Sequence, residues 1–201
     1  QWADKFRLLS TESSSEAGKF ETARAIFQKE IMDSINDPTI TEVVVMSCSQ
    51  IGKTEILLNA IGYYIHYAPA PILIVHPTLE MARAWSQDRL APMIRDTEIL
   101  KQKVAEVKSK DSGNTVLHKM FDGGHITACG ANSPASLASR PIKIVLCDEI
   151  DRYPPTAGSE GDPVMLAKRR SATFWDSKLV LTSTPTVKGA SAIESAFEDT
   201  D

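Results

Sequence analysis

Cysteine is scarce in this chain. The three residues, Cys48, Cys129 and Cys147, stand at no metal-ligand spacing, so a disulfide framework or cysteine zinc site has no support. Reduced, buried thiols are the plain reading. Histidine is equally thin, with four scattered residues, which removes the remaining zinc pattern. Positive charge is not in excess: 22 Lys and Arg stand against 26 Asp and Glu, for a net charge of −4. That argues against a basic coat, while leaving local nucleic-acid contacts open. No apolar run approaches the length of a membrane span, and no signal peptide or low-complexity tract is visible. Residue 1 is Gln rather than Met, so the chain reads as a piece of a longer protein. What is present is 201 residues, 42% hydrophobic and 24% charged, enough for one sizeable core and, most economically, one domain.

The most informative stretch is Ser47-Cys48-Ser49-Gln50-Ile51-Gly52-Lys53-Thr54. It follows the apolar run Val43-Val44-Val45-Met46 and precedes Glu55-Ile56-Leu57-Leu58-Asn59-Ala60. Strand, tight loop ending Gly-Lys-Thr, then helix is the phosphate-binding loop arrangement. Its amides wrap phosphates, the Lys reaches the β and γ oxygens, and the Thr hydroxyl ligates Mg²⁺. Ser47 stands where the first Gly of that pattern belongs. A second motif lies downstream, Ile144-Val145-Leu146-Cys147-Asp148-Glu149. Four apolar residues in a row read as a strand buried on both faces, with two carboxylates at its C-terminal end, where ligands sit in open α/β sheets. Asp148 is placed to hold Mg²⁺ and Glu149 to orient and deprotonate an attacking water. Each motif alone has a plainer reading, a turn into a helix or a strand followed by a solvated turn. Both together, in this order, point to a nucleoside triphosphate site.

Periodicity alternates along the rest of the chain. Residues 1–19 are polar and read as an irregular arm. Ala23, Ile26, Phe27, Ile31 and Ile35 recur at helical spacing, and Asp37-Pro38 ends that helix. Residues 41–46 form the first core strand, 53–67 a helix and 72–75 a second buried strand. Residues 79–94 read as a helix with Met81, Ala84, Trp85, Leu90 and Met93 on its apolar face. Residues 101–112 read as a helix end or mobile loop. Asp122-Gly123-Gly124 between two alternating runs predicts a hairpin, and residues 178–181 a last strand. Strands alternating with helices predict a mainly parallel sheet with helices on both faces. Lysines cluster at Lys101, Lys103, Lys108 and Lys110, and a second basic group is Lys168-Arg169-Arg170. Each reads as a solvated face as readily as a nucleic-acid contact.

These pieces resemble a known family. The phosphate loop, Ile74-Val75-His76-Pro77-Thr78, Arg140 before the carboxylate strand, Asp148-Glu149 and Leu181-Thr182-Ser183-Thr184-Pro185 look like the ATPase domain of a tailed-phage large terminase subunit. Trp2-Ala3-Asp4-Lys5-Phe6-Arg7 and Phe27-Gln28-Lys29-Glu30-Ile31-Met32-Asp33 resemble its lambda-type branch. The resemblance covers nearly the whole chain, and that family tolerates variation at the first loop Gly. It implies an α/β three-layer sandwich of the P-loop NTPase class (ASCE/RecA-like) with a mainly parallel central sheet. It implies ATP and Mg²⁺ as ligands. Ser47, Ser49, Gln50, Ile51, Gly52 and Lys53 would hold phosphate, Thr54 and Asp148 would serve the metal, and Glu149 would be the catalytic carboxylate. Thr182, Ser183 and Thr184 match the motif that senses the γ-phosphate and relays its loss.

Further expectations follow from the same resemblance. Arg140 would be a finger presented to a neighbour's γ-phosphate, with Arg83, Arg89 and Arg95 as competitors; a surface Arg flanking a strand is the plainer alternative. Gln28 and Trp2 resemble an adenine-contacting element, with an exposed helix Gln and a core Trp as the alternatives. Expected partners are double-stranded DNA, neighbouring copies in a ring on the portal, the portal protein and the small terminase subunit, in the host bacterial cytoplasm. The family carries a nuclease domain downstream. The acidic tail Glu194, Glu198, Asp199 and Asp201 is too short to hold that fold, so ATPase without DNA cleavage is expected here. Two other classes stay open. Asp148-Glu149-Ile150-Asp151 resembles the box of a superfamily 2 helicase lobe, and a non-hydrolysing nucleotide-binding module would use the same loop.

Overall fold

A computed structural model describes residues 2–12, 14, 16–104, 114–133 and 141–200. Arg140, Lys108 and Lys110 lie outside the described residues. At the centre is a six-stranded sheet in the order β3-β8-β7-β4-β6-β5. Its strands are β3 (Glu42–Met46), β4 (Ile72–His76), β5 (His118–Phe121), β6 (Gly124–Gly130), β7 (Ile144–Asp148) and β8 (Lys178–Ser183). All neighbours run parallel except the β5–β6 hairpin, which turns through Asp122 and Gly123 with Gly123 at φ 84°. That left-handed backbone is why the Asp-Gly signal marks a hairpin.

Burial on both faces explains the near-continuous apolar runs. Every residue of β4, β7 and β8 is buried. Ile72, Ile74, Ile144, Leu146 and Val180 pack into one core with α3 (Lys53–His66) and α2 (Phe27–Asn36). Leu73, Val75, Val145, Cys147, Leu179 and Leu181 pack into a second core with the helices Pro163–Arg169 and Ala192–Glu198. Alternate side chains thus feed opposite layers, the period-2 signature of a strand covered on both sides.

The helices expected from periodicity exist, but two of them bury a face that matches the expected one only in part. Residues 22–35 are a 3₁₀ turn, Thr22–Ala25, followed by α2. Thr22 is anchored by Asp4, whose carboxylate accepts from the Thr22 N–H and hydroxyl, both at 2.7 Å. The tighter pitch rotates the first α-turn, so Gln28, Met32 and Ile35 face inward while Ile26 and Phe27 are exposed. Residues 79–96 are α4 (Leu79–Trp85), a π-turn (Ser86–Leu90) and α5 (Ala91–Asp96). The Ala91 N–H reaches back to Ser86 O, and Pro92, which has no N–H to donate, opens α5. Trp85, Leu90 and Met93 are buried as expected, joined by Ala82 and Ile94, whereas Met81 and Ala84, both ahead of the π-turn, lie outside.

The N-terminal stretch is not irregular throughout. Trp2–Phe6 forms α1, and β1 (Leu8–Leu9) pairs antiparallel with β2 (Gly18–Lys19). Arg7 is the reason a polar stretch is held down. Its buried guanidinium donates to Glu55 O at 3.1 Å, to the Glu55 carboxylate and to Asn59 Oδ1, all on α3. The tail likewise forms the helix Ala192–Glu198, capped by Ser191. Residues 98–103 form α6 (Glu98–Lys103). No described helix is long and apolar enough to cross a membrane.

Candidate functional site

Three parallel strands end side by side. In register, Val45 pairs with Thr182, Met46 with Ser183, and Asp148 with Thr182. Strand β8 therefore lies between β3, which feeds the phosphate loop, and β7, which carries the carboxylates. The Ser47 N–H donates to Ser183 O at 3.2 Å, extending this ladder to the loop's first residue. The positive backbone angles of the loop fall at Gln50 (φ 65°) and Gly52 (φ 85°), not at Ser47. That is why a serine serves where the pattern has Gly: the left-handed turn is made elsewhere. Gly52 cannot be replaced so freely, because a Cβ there would lie 2.5 Å from Gln28 Nε2. Gly52 opens α3, a 14-residue helix whose unpaired N-terminal amides border the loop.

Lys53 is buried, and its ammonium points back into the loop. It donates to Cys48 O at 3.0 Å and Thr184 Oγ1 at 2.8 Å, and stands 3.8 Å from Glu149 Oε1. Glu149 holds the left-handed conformation (φ 56°, ψ 49°), an unfavourable backbone for a non-glycine residue. Asp148 is buried and accepts from Thr182 Oγ1 at 2.7 Å. Burial pushes its carboxyl up, opposed by the Thr182 hydrogen bond and the Lys53 charge. His76 stands 4.0 Å from Asp148, and burial pulls it down to about 4. It is neutral near pH 7, so the contact is not an ion pair.

These groups line an open cleft of about 900 Å³, whose far wall is Lys19, Phe20, Glu21 and Arg24 beyond β2. Ser49, Gln50, Gly52, Lys53, Thr54, Gln28, Glu149 and Thr184 border it. Gln28 donates from Nε2 to Ile51 O at 3.1 Å, while its buried Oε1 has no partner. Ser183 is turned the other way, its hydroxyl accepting from the Asp151 N–H at 3.2 Å. Trp2 is elsewhere. Its ring is buried against Gly62, and its Nε1 donates to His66 Nδ1 at 3.0 Å. Gly62 is nine residues past Lys53, roughly 14 Å along α3. The structure therefore places Trp2 in the core, away from the cleft, because its indole fills the notch that Gly62 leaves. Among the competing arginines, Arg89 borders the cleft from the π-turn, whereas Arg95 is engaged with Asp96 and Glu12. Of the basic groups, Lys168 pairs with Glu42 at 2.6 Å.

Arg152, near the carboxylates, escaped the sequence reading, and Asp151 entered it only as the last residue of the helicase-like box. Arg152 borders the cleft with Nε 3.7 Å from Glu149 Oε2. Asp151 accepts from the Thr186 N–H (2.9 Å), the Thr186 hydroxyl (2.8 Å) and the Ile193 N–H (2.8 Å). It ties the carboxylate turn to the segment after β8. The signal for Arg152 was its i+3 spacing from Glu149; the tie that Asp151 makes had none, because its partners lie 35 and 42 residues away. Among the described residues, no group of three His, Cys, Asp or Glu could hold a metal alone. A hydroxyl from Thr54 and a carboxylate from Asp148 are nevertheless hard oxygen donors of the kind Mg²⁺ takes beside phosphate and water.

A phosphate loop between β3 and α3, with a paired-carboxylate strand one strand removed across β8, defines a P-loop NTPase. The finer assignment comes from similarity. Residues 14–201 match the family described as phage terminase large subunit gpA, ATPase domain, and the chain belongs to that family. It is 29% identical over 201 residues to the terminase large subunit of Enterobacteria phage P21, covering 99% of this chain and 31% of that protein. The chain thus spans about a third of the curated relative it matches. Among solved structures, the HK97 bacteriophage large terminase superposes with a TM-score of 0.75 at 13% identity, covering 98% of this chain and 39% of that one. The large terminase ATPase domain of Thermus phage P74-26 gives 0.54 at 14%, covering 80% and 66%. Dbp5 of S. cerevisiae gives 0.50 at 16%, covering 83% and 42%. At these identities the structural likenesses show the fold alone.

Proposed function

We propose that this chain is the motor ATPase domain of a phage terminase large subunit, coupling ATP hydrolysis to movement of double-stranded DNA into a procapsid. The observation that carries the reading is the convergence of Lys53, Glu149 and Thr184 at one end of the cleft, within a chain of this family. Lys53 exchanges its Cys48 and Thr184 oxygens for phosphate oxygens. The α3 amides and the loop from Ser47 to Gly52 wrap the phosphates. Thr54 and Asp148 would hold Mg²⁺, which when bound would neutralise charge on the phosphates. Thr182 keeps the Asp148 carboxylate turned to the site. Glu149 orients the attacking water and takes its proton. Thr184, now released from Lys53, is free to bond the γ-phosphate or that water. Gln28 Oε1, buried and without a partner, is the acceptor suited to the exocyclic amine of adenine.

The larger setting belongs to the same proposal. Neighbouring copies form a ring on the portal, with the portal protein and small terminase subunit as partners, in the host bacterial cytoplasm. Arg140 remains the proposed finger to a neighbour, and a nuclease domain is proposed downstream of this single ATPase domain. The test is calorimetric titration with Mg-ATPγS and Mg-ADP, followed by DNA-stimulated ATPase assays with partners. Lys53→Ala should abolish measurable affinity. Glu149→Gln should still bind the nucleotide at least as well and lose turnover by at least about a hundredfold. Normal hydrolysis by Glu149→Gln would remove the catalytic assignment. Tight ATP binding without turnover, even with DNA and neighbouring subunits supplied, would point to a non-hydrolysing module instead.

A further inference from the structure

We propose that Arg152 contacts the γ-phosphate from within the same chain, and that the carboxylate it leaves in doing so is Glu149. The inference rests on the nucleotide site proposed above. It begins with the geometry of one carboxylate between two cations. Glu149 has Lys53 Nζ 3.8 Å from Oε1 and Arg152 Nε 3.7 Å from Oε2. Both separations exceed a good charge-assisted hydrogen bond, so neither cation is locked in place. The Arg152 side chain is 65% exposed, whereas Lys53 is 6% exposed. One cation is therefore enclosed and the other solvent-facing, each beside a different oxygen of the group that would activate water.

The backbone explains how they meet. Glu149 is in the left-handed conformation, and Ile150–Arg152 then forms a 3₁₀ turn. That turn brings residue i+3 round to the same side as residue i, so Glu149 and Arg152 face one cleft. A strained non-glycine residue at such a position is common where function over-determines the backbone. Stability does not explain the pair, since an exposed ion pair with this spacing contributes little. Two other cleft cations are better occupied: Arg24 bonds both Glu16 and Glu21, and Lys53 bonds Thr184. The group that holds Arg152 is the catalytic carboxylate itself.

The consequence is an ordered exchange. A terminal phosphate carries more negative charge than a carboxylate and offers a planar guanidinium several oxygens at once. When it enters beside Lys53, Arg152 leaves Glu149 for it. The carboxylate loses a cation that competes with water for its lone pairs and gains the freedom to orient the nucleophile. Arg152 meanwhile stabilises charge on the transferring group. A diphosphate lacks that terminal group, so Arg152 stays on Glu149. Arg152 therefore separates the triphosphate from the diphosphate, and it does so without a neighbouring subunit.

The test is calorimetry of the wild-type protein and of Arg152→Ala, Arg152→Lys and Arg89→Ala, each with Mg-ATPγS and Mg-ADP. Arg152→Ala should weaken ATPγS by about tenfold or more and leave ADP unchanged, with Lys recovering part of the loss. Glu149→Gln should tighten ATPγS in the wild-type background and not in Arg152→Ala, which is the coupling a purely structural residue would not show. An unchanged ratio of ATPγS to ADP affinity in Arg152→Ala overturns the inference while leaving the nucleotide site standing. Collapse of that ratio in Arg89→Ala alone overturns it in favour of the π-turn arginine. Absence of saturable nucleotide binding by the wild-type protein overturns the site and this inference together.

Discussion

Replacing Gly62 by Ala sets two forces of opposite sign against each other, and the structure decides between them. Gly62 lies inside α3, where Ala is the better helix former by about 1 kcal/mol. The added methyl, however, would sit 2.1, 2.4 and 2.9 Å from three atoms of the Trp2 ring. The ring has nowhere easy to go. It is 7% exposed, packs against Phe6 with centroids 6.2 Å apart, and is tethered to His66. Ejecting an indole of this kind forfeits about 150–250 Å² of burial, or about 4–6 kcal/mol as an upper figure. Deforming in place costs about 1–3 kcal/mol, so the protein deforms. An overlap this deep belongs at the upper end, and subtracting the helix gain leaves a net loss of about 2 kcal/mol. For a chain of this size that lowers Tm by about 4–8 °C. Thermal and urea unfolding measure the loss, and ATPγS affinity should stay within about twofold because Lys53 is roughly 14 Å away along the helix. Adding Trp2→Leu should recover much of the stability, a non-additivity expected of residues in contact. A Gly62→Ala protein at least as stable as wild type would refute this placement of Trp2 and leave helix propensity in command.

Acid stability offers two more tests. His76 is pulled by burial to about 4, below an unfolded value of 6.5, so the unfolded chain takes its proton first. Stability from this group is intact above pH 6.5 and is lost as pH falls from there towards 4, by up to about 3 kcal/mol; His76→Gln should flatten that part of an unfolding-versus-pH curve, and an unchanged slope would contradict the burial. Burial works to raise Asp151, but hydrogen bonds from Ile193, Ser191 and Thr186 outweigh it and hold the carboxyl below its usual value. Asp151→Ala should cost about 2 kcal/mol at pH 7, with the gap to wild type closing as pH falls below about 4. A gap that does not narrow at all as pH falls from about 4 through the acid range would mean that packing rather than the ionised carboxylate holds the turn.

What was legible in the sequence was whatever depends on neighbours along the chain. Ile72-Leu73-Ile74-Val75 and Ile144-Val145-Leu146-Cys147 could be read as strands covered on both faces because each residue type reports its own burial. Gly52-Lys53-Thr54 and Asp148-Glu149 could be read because phosphate chemistry constrains residues a few positions apart. The failures share the opposite property. Whether Gln28 or Ile26 faces inward depends on a 3₁₀ turn anchored by Asp4, 18 residues away. Within 79–85, that Ala82 rather than Met81 or Ala84 faces inward depends on packing against the sheet core, which leaves no trace in the periodicity. Arg7 is a charged residue in a polar stretch, and only the Glu55 and Asn59 partners, 48 and 52 residues on, make it buried.

Trp2 shows why the same limit applies to function. An aromatic residue upstream of a phosphate loop fits an adenine contact and a core position equally well by type. The deciding fact is a glycine 60 residues later whose missing side chain makes room for the ring, and a His one turn further on that accepts the indole proton. Neither is a motif. Arg152 is the converse case: it sits three residues from Glu149, well within reach of pattern reading, yet charge beside charge on a turn is ordinary in sequence. Its meaning comes from Glu149's left-handed backbone, which turns the pair into the cleft that Lys53 enters from the other side. Local chemistry names the groups a site needs, and long-range packing decides which of the eligible residues supply them.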